Sequence, residues 1–381
     1  MLQHKTELRI PGPVPVPPQV LQAASHPMIN HRGKVFKSLF PQIMDRLKPI
    51  FGTQQRIYAI TGSGTAAMET AVANLISPGD AVLVLVGGSF GQRWKSLCDA
   101  YQAKVTVLEY PWGEPVDAAQ VQTVLQANPD IKAVFATHNE SSTAVLNDLQ
   151  ALGTAVRGHQ ALLVVDAVSS LGGAEIQMDA WGIDVVCTAS QKCLMVPPGL
   201  AFVAFSAPAM ERAGKTTSSR FYFNINSYDQ MLEKGETPFT PNISLLFGLE
   251  AALDMIEEEG LDVIYARHFL MRDMARAGIE ALGLPLLVVE AGASPTTTSV
   301  IPDAITDVDG FRAKVRDHLG VELAGGQGKL AGKIFRIGHM GYATPLDMLT
   351  CLAALELALG KSGLATAAAE DVWRRRLSVH F

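Results

Sequence analysis

Two side chains in this sequence can do chemistry together: Asp166, which closes the apolar run ALLVVD (161–166), and Lys192, inside TASQKCLMVPPG between two further apolar runs. A carboxylate at the C-terminal end of a strand stands where ligands sit in open α/β sheets. It is costly to desolvate unless a partner such as a protonated pyridine nitrogen faces it. A lysine among small and apolar residues at a strand end has its charged form disfavoured, which makes the amine a nucleophile near neutral pH. The two stand 26 residues apart at successive strand ends, a spacing that lets them bracket one aromatic ring. Taken singly, each has a plainer account: Asp166 can cap the next helix, and Lys192 can be a solvated loop cation.

A glycine-rich turn, TGSGTAAMET (61–70), follows the run RIYAI and leads into a helix-like segment. Such a turn aims backbone amides and a helix N-terminus at one point, which suits a phosphate. The plainer account is a tight turn with Ser63 or Thr65 as N-cap. Gly62, Gly64 and Ala67 also fit GxGxxA, but the next run ends in Gly87-Gly88 where a dinucleotide fold needs an acid. Neither Gly-Lys pair in GGQGKLAGK has the glycine a P-loop requires. Gly87, Ser89 and Gly91 match the GxSxG nucleophile elbow, and Ser89, Asp166, His339 run in hydrolase order. No HGGG-type oxyanion segment accompanies them, so a serine hydrolase is the weaker reading.

The elements that must position these residues are short apolar runs separated by helix-length intervals: 56–60, 81–86, 104–110, 131–136, 161–166, 183–188 and 200–205. Seven such runs predict an α/β domain with a mainly parallel seven-stranded sheet between helices. After about Ser206 the rhythm changes. A long helix is expected from about Ile243, another over 261–282, strands in TTTSVI (296–301) and KIFRIG (333–338), and a terminal helix from about Pro345. The expected division is an extended segment 1–20, a large domain 21–245 and a smaller α+β domain 246–381. PGPVPVPP (11–18) cannot be helix or central strand and is expected to lie extended over the surface.

With 381 residues, 48% hydrophobic, 18% charged and a net charge of -6, the composition is that of an ordinary globular protein without an electrostatic footprint for nucleic acid. The one basic run, Arg374-Arg375-Arg376, reads as a solvated helix end. Cys98, Cys187, Cys193 and Cys351 lack disulfide or zinc spacing, so no metal is expected and a reducing cytoplasm fits. No stretch approaches the ~20 apolar residues that span a bilayer, and the N-terminus has no signal-peptide core.

Taken in order, GSGTAAMET, THNESSTAVL, VVDAVSSLGG, SQKCLMVPPGLAFV and KIFRIGHMG resemble the motifs of the class V, fold-type I pyridoxal-phosphate (PLP) aminotransferases. The alanine/serine–glyoxylate group, with the cyanobacterial proteins labelled soluble hydrogenase small subunits, is the nearest in look. The resemblance runs from PGPVPVP to about Leu359. It implies that Ser63, Gly64, Thr65 and Gln191 hold the cofactor phosphate, that Phe90 stacks on the pyridine ring and that Val168 covers its other face. Ser141 is implied to bond the ring hydroxyl, Asp166 the ring nitrogen, and Lys192 to carry the cofactor as a Schiff base. Arg336 is implied to grip the substrate carboxylate, where the plainer account is a surface arginine on an edge strand. Thr237 and Thr240 are implied to complete the phosphate site of a neighbouring subunit in an obligate homodimer. The partners are then small amino acids and 2-oxo acids, with glyoxylate as acceptor. Cysteine desulfurase is disfavoured because the loop 321–333 has no cysteine. Epimerase, lyase and ureidoglycine-type aminotransferase readings stay open, since the outcome depends on how substrate bonds lie against the ring.

Overall fold

In the computed structural model, which describes residues 6–377, each of the seven apolar runs contributes a strand to one sheet. From the N-terminus the chain forms β1 (Glu7–Arg9), α1 (Pro18–Ala24), α2 (Lys34–Phe51), β2 (Ile57–Gly62), α3 (Gly64–Leu75), β3 (Ala81–Val86), α4 (Ser89–Ala100) and β4 (Lys104–Glu109). It continues through α5 (Ala118–Ala127), β5 (Ala133–Thr137), the short hairpin β6 (Asn139–Glu140) and β7 (Val145–Leu146), α6 (Leu149–Val156), β8 (Leu162–Asp166), α7 (Met178–Trp181), β9 (Val185–Ala189) and β10 (Gly199–Phe205). Helices α8 (Ala207–Lys215), α9 (Ile225–Leu232), α10 (Ile243–Glu259) and α11 (Leu261–Ala281) lead to β11 (Thr297–Val300), α12 (Val308–Leu319), β12 (Val321–Gly325), β13 (Phe335–Gly338), α13 (Pro345–Ala358) and α14 (Leu364–Leu377).

The large sheet has the order β2-β10-β9-β8-β5-β3-β4, and only β10 runs against its neighbours. Its strands other than the half-exposed edge strand β4 read as near-continuous apolar runs because both faces are covered. Along β3, Val82, Val84 and Val86 enter one cluster with Met68 and Trp94, while Leu83 and Leu85 enter the opposite cluster with Phe40 and Leu152. This alternation leaves no face of the strand for water.

A second sheet, β1-β12-β13-β11, is built from both ends of the chain. Here the structure corrects the expectation for residues 1–20. β1 pairs in parallel with β12, Pro11 and Val14 are buried, and the Val14 amide donates to the Gln191 carbonyl at 3.1 Å. Proline blocks ladder donors but not carbonyl acceptors, and Val14 has an apolar side chain to bury beside Cys193 and Met340. The expected boundary at 245/246 falls inside α10, whose residues Ile243–Ile256 pack in the same cluster as α2 and the large sheet. Strand β12, in VELAG, went unseen because its alternation is only five residues long.

Candidate active site

The parallel strands deliver the site from their C-terminal ends. β2 runs into Ser63, β3 into the turn before Phe90, β5 into Ser141, β8 ends on Asp166, and β9 runs into Gln191 and Lys192. Asp166 is held between Thr137 and Cys187 in the sheet register. Burial pushes its carboxyl up to about 6, against the opposing hydrogen bond from the Val168 amide to Oδ1 at 2.8 Å. That bond occupies one oxygen only, and no described residue donates to the other.

Lys192 is pinned by its turn. Its carbonyl accepts from the Met195 amide at 2.9 Å, and Met195 sits at φ 58, a left-handed conformation that costs energy for a side-chain-bearing residue. The Ser190 carbonyl accepts from the Val196 amide at 3.0 Å, closing the loop back to β10. Burial lowers the Lys192 amine to about 8, with Arg336 and Arg93 acting in the same direction and Cys193 and Asp166 opposing. The amine donates to the Pro11 carbonyl oxygen.

Ser63, Gly64, Thr65, Phe90, Asp166, Val168, Gln191 and Lys192 line one cavity of about 190 Å³. Ser63 is the N-cap residue of α3, yet its side chain makes no capping bond; the Ala66 amide turns back to the Ser63 carbonyl at 2.8 Å, which leaves the Gly64 and Thr65 amides and the Ser63 hydroxyl to serve a ligand. Gly64 is required by space: a Cβ there would lie 2.7 Å from Val168 Cγ2. The side-chain oxygen of Gln191 is buried without a hydrogen-bond partner among the described residues. A cradle of helix-terminal donors with an unpartnered amide beside it fits a phosphate.

Phe90 and Lys192 also line a second cavity, of about 490 Å³, that includes Ser141, Gly12, Gln327 and Arg336. The two spaces are therefore adjoining. Arg336 is on β13 between β12 and β11, buried, and so is not the edge-strand surface arginine of the plainer account. Its Nε donates to the Gly325 carbonyl at 2.9 Å and its Nη1 to the Ser141 carbonyl at 2.6 Å. Nη2 has no protein partner among the described residues. Burial lowers the guanidinium to about 10, with Glu140 opposing and Arg312 assisting.

Ten of the twelve expected site residues thus meet at the two cavities. Thr237 and Thr240 line neither: Thr237 is buried with its hydroxyl donating to the Phe239 carbonyl at 2.7 Å, and Thr240 is exposed. The hydrolase reading fails on geometry. Both ring nitrogens of His339 are engaged, by Thr298 Oγ1 and the Pro295 carbonyl, each at 2.9 Å. The amides after the elbow, of Phe90 and Gly91, are taken by Glu140 Oε2 at 3.0 Å each, so no oxyanion hole forms there.

Sequence reasoning missed Glu140 and Arg93. Arg93 lies over the Phe90 ring at 4.7 Å and donates to Thr65 Oγ1 at 3.2 Å; the signal available was its i+3 position from Phe90 on a helix. Glu140 was visible only as the one charge within NESSTAVL.

A family model described as aminotransferase class-V matches residues 15–327. The chain is 37% identical to an L-aspartate–glyoxylate aminotransferase of Paracoccus denitrificans, covering 96% of each chain. It is 36% identical to a serine–glyoxylate aminotransferase of Arabidopsis thaliana, over 93% of this chain and 90% of the relative. The solved structure of ureidoglycine–glyoxylate aminotransferase from Bacillus subtilis superposes with a TM-score of 0.92 at 31% identity, covering 98% of this chain and 99% of that one.

The raised Asp166 pKa has a consequence for the ligand-free protein. The native state holds this proton up to about pH 6, whereas an unfolded chain releases it near pH 4. Wild-type stability therefore falls across that window as the buried carboxylate ionises. From about pH 4 to pH 8, chemical denaturation of Asp166→Asn against wild type, both free of ligand, is expected to show the difference growing by about 2 kcal/mol in favour of the variant. A pH-independent difference would contradict the buried, unpaired carboxylate.

Proposed function

The chain belongs to the class V aminotransferases, and on that premise we propose that it uses pyridoxal 5′-phosphate on Lys192 to exchange amino groups between a small amino acid, of the alanine or serine kind, and glyoxylate. The observation that carries this reading is that Asp166 and Lys192 line one cavity with Phe90 and Val168, and that Lys192 and Phe90 open it towards Arg336.

Ser63, Gly64, Thr65 and Gln191 would hold the phosphate, while Phe90 and Val168 would flank the ring and Ser141 would meet its hydroxyl. Bound there, pyridoxal phosphate supplies an electron sink for the pair left at the substrate Cα, through its protonated ring nitrogen. Asp166 would keep that proton in place. Its carboxyl, raised chiefly by burial and further by the Glu140 charge, ionises readily against a cation, so it is poised for a positive partner. Lys192, with its amine lowered to about 8, would hold the cofactor through its aldehyde, and its Nζ, once freed, would be placed to take the substrate Cα proton as general base and give it back as general acid. Arg336, its Nε and Nη1 fixed by carbonyls, offers Nη2 to the substrate carboxylate.

The homodimer is part of the proposal. Phe221 is 82% exposed and packs on Phe239, which stacks on Tyr222 at 4.7 Å. Tyr222 Oη donates to the Thr61 carbonyl at 3.3 Å, and the Asn242 amide to Thr61 Oγ1 at 3.3 Å. The segment bearing Thr237 and Thr240 therefore borders the strand that feeds the phosphate cradle, behind an exposed aromatic patch of the kind subunits bury. That geometry supports Thr237 and Thr240 acting on the neighbouring subunit's phosphate. No helix among the described residues is long and apolar enough to cross a membrane, and all four cysteines are buried free thiols, which supports a reducing, cytoplasmic setting. Desulfurase chemistry is opposed by Cys351, buried in α13 with its thiol pushed up to about 12 by burial.

Three outcomes are expected. Purified protein is yellow, and borohydride fixes the cofactor to the peptide containing Lys192; label on any other lysine overturns the site. A panel of small amino donors against glyoxylate and pyruvate yields glycine or alanine with ping-pong kinetics, whereas a lyase or epimerase shows no such exchange. Arg336→Ala raises KM for amino and oxo acids alike by at least about tenfold with the cofactor still bound; unchanged KM for both refutes its role.

A further inference from the structure

The buried carboxylate of Glu140 has four donors and, among the described residues, no salt-bridge partner. Its Oε2 accepts the Phe90 and Gly91 amides at 3.0 Å each, and its Oε1 accepts the Ser142 amide at 3.2 Å and the Ser142 hydroxyl. The same hydroxyl accepts the Ser89 amide at 2.9 Å. The first three amides of α4, which a helix leaves unpaired, are thus all satisfied by one loop, and a carboxylate is favoured there by the helix dipole. Gly88 makes room for it: a Cβ at that position would lie 2.3 Å from Glu140 Cδ. Of the apparent nucleophile elbow, Gly91 serves this clamp through its amide. Between Glu140 and Ser142, the Ser141 carbonyl accepts Arg336 Nη1 at 2.6 Å.

We propose that Glu140 is a positioning residue that sets Phe90 under the cofactor ring and, through the Ser141 backbone, ties that platform to the substrate-binding Arg336. This rests on the cofactor reading given above. Glutamine at 140 keeps the shape but turns one acceptor oxygen into a donor, so one pair of donors in the clamp loses its partner and faces an N–H₂.

The test has two arms. In full-length protein stripped of cofactor, Glu140→Gln is expected to speed amide hydrogen exchange at least fivefold at Phe90 and Gly91 or at Ser142, whichever donors face the new N–H₂, while exchange in β3 and β5 stays as in wild type. A smaller effect, or uniform acceleration across the sheet, overturns the clamp. In the second arm pyridoxal 5′-phosphate is titrated in a double-mutant cycle with Phe90→Ala. Glu140→Gln weakens binding at least fivefold in wild type and less than twofold in the Phe90→Ala background; equal weakening in both backgrounds overturns the coupling to Phe90. If Glu140→Gln does not fold, Ser142→Ala takes its place, read at the Ser89 amide by the same fivefold criterion. A wild type that takes up no pyridoxal phosphate fails the cofactor reading instead, and the exchange arm still decides the clamp.

Discussion

Desolvation of two opposite charges at one end of a parallel sheet is the constraint on which the rest of this structure depends. Asp166 is buried and Lys192 half-buried, and in each case desolvation is the largest influence on the proton, moving the carboxyl up and the amine down. Among the described residues neither has an ion-pair partner that offsets the loss of water: Asp166 accepts one backbone amide and Lys192 donates to one carbonyl. Two ionisable groups held this way are costly for the fold and useful only to a ligand that supplies what each lacks. A heterocycle with a basic nitrogen at one end and an aldehyde at the other meets both needs.

The architecture converts that constraint into geometry. Because every strand of the large sheet except β10 runs the same way, the loops that follow them share one edge, and residues far apart in sequence meet there without a long connection. The second sheet then closes the site from the other side. β1 recruits the N-terminus, carrying Pro11 and Gly12 over Lys192, while β13 carries Arg336 to the same cavity. Any substrate held by Arg336 is thereby placed against residues delivered by the large sheet.

Between the two sheets lies the loop from Asn139 to Ala144. Asn139 Nδ2 donates to Ser169 Oγ and Thr296 Oγ1, both at 2.9 Å, so the strand end after β5 is tied to the loop after β8 and to the approach to β11. Ala144, at φ 69, turns the chain back so that its amide reaches the Glu140 carbonyl at 2.8 Å. Such a densely bonded polar segment in the interior defines one arrangement, since each buried donor left over costs roughly 1–3 kcal/mol.

The sequence by itself determined the seven strands, the mainly parallel order and the chemical identity of the central pair. These follow from local properties: an apolar run buried on both faces, a glycine turn before a helix, an acid and a lysine at strand ends. It also determined α10, α11 and the strand bearing Arg336, through periodicity and turn residues. Only the tertiary structure decided that Pro11, Val14 and Pro17 of the proline-rich start are buried, that VELAG pairs with β1, and that α10 packs with the large sheet. Those facts depend on contacts hundreds of residues apart, which no window of sequence contains. Likewise Glu140 and Arg93 look like ordinary surface charges in the chain. Their roles appear only when a helix N-terminus and a phenylalanine ring are brought against them, because a hydrogen bond or a ring contact is a property of two places at once.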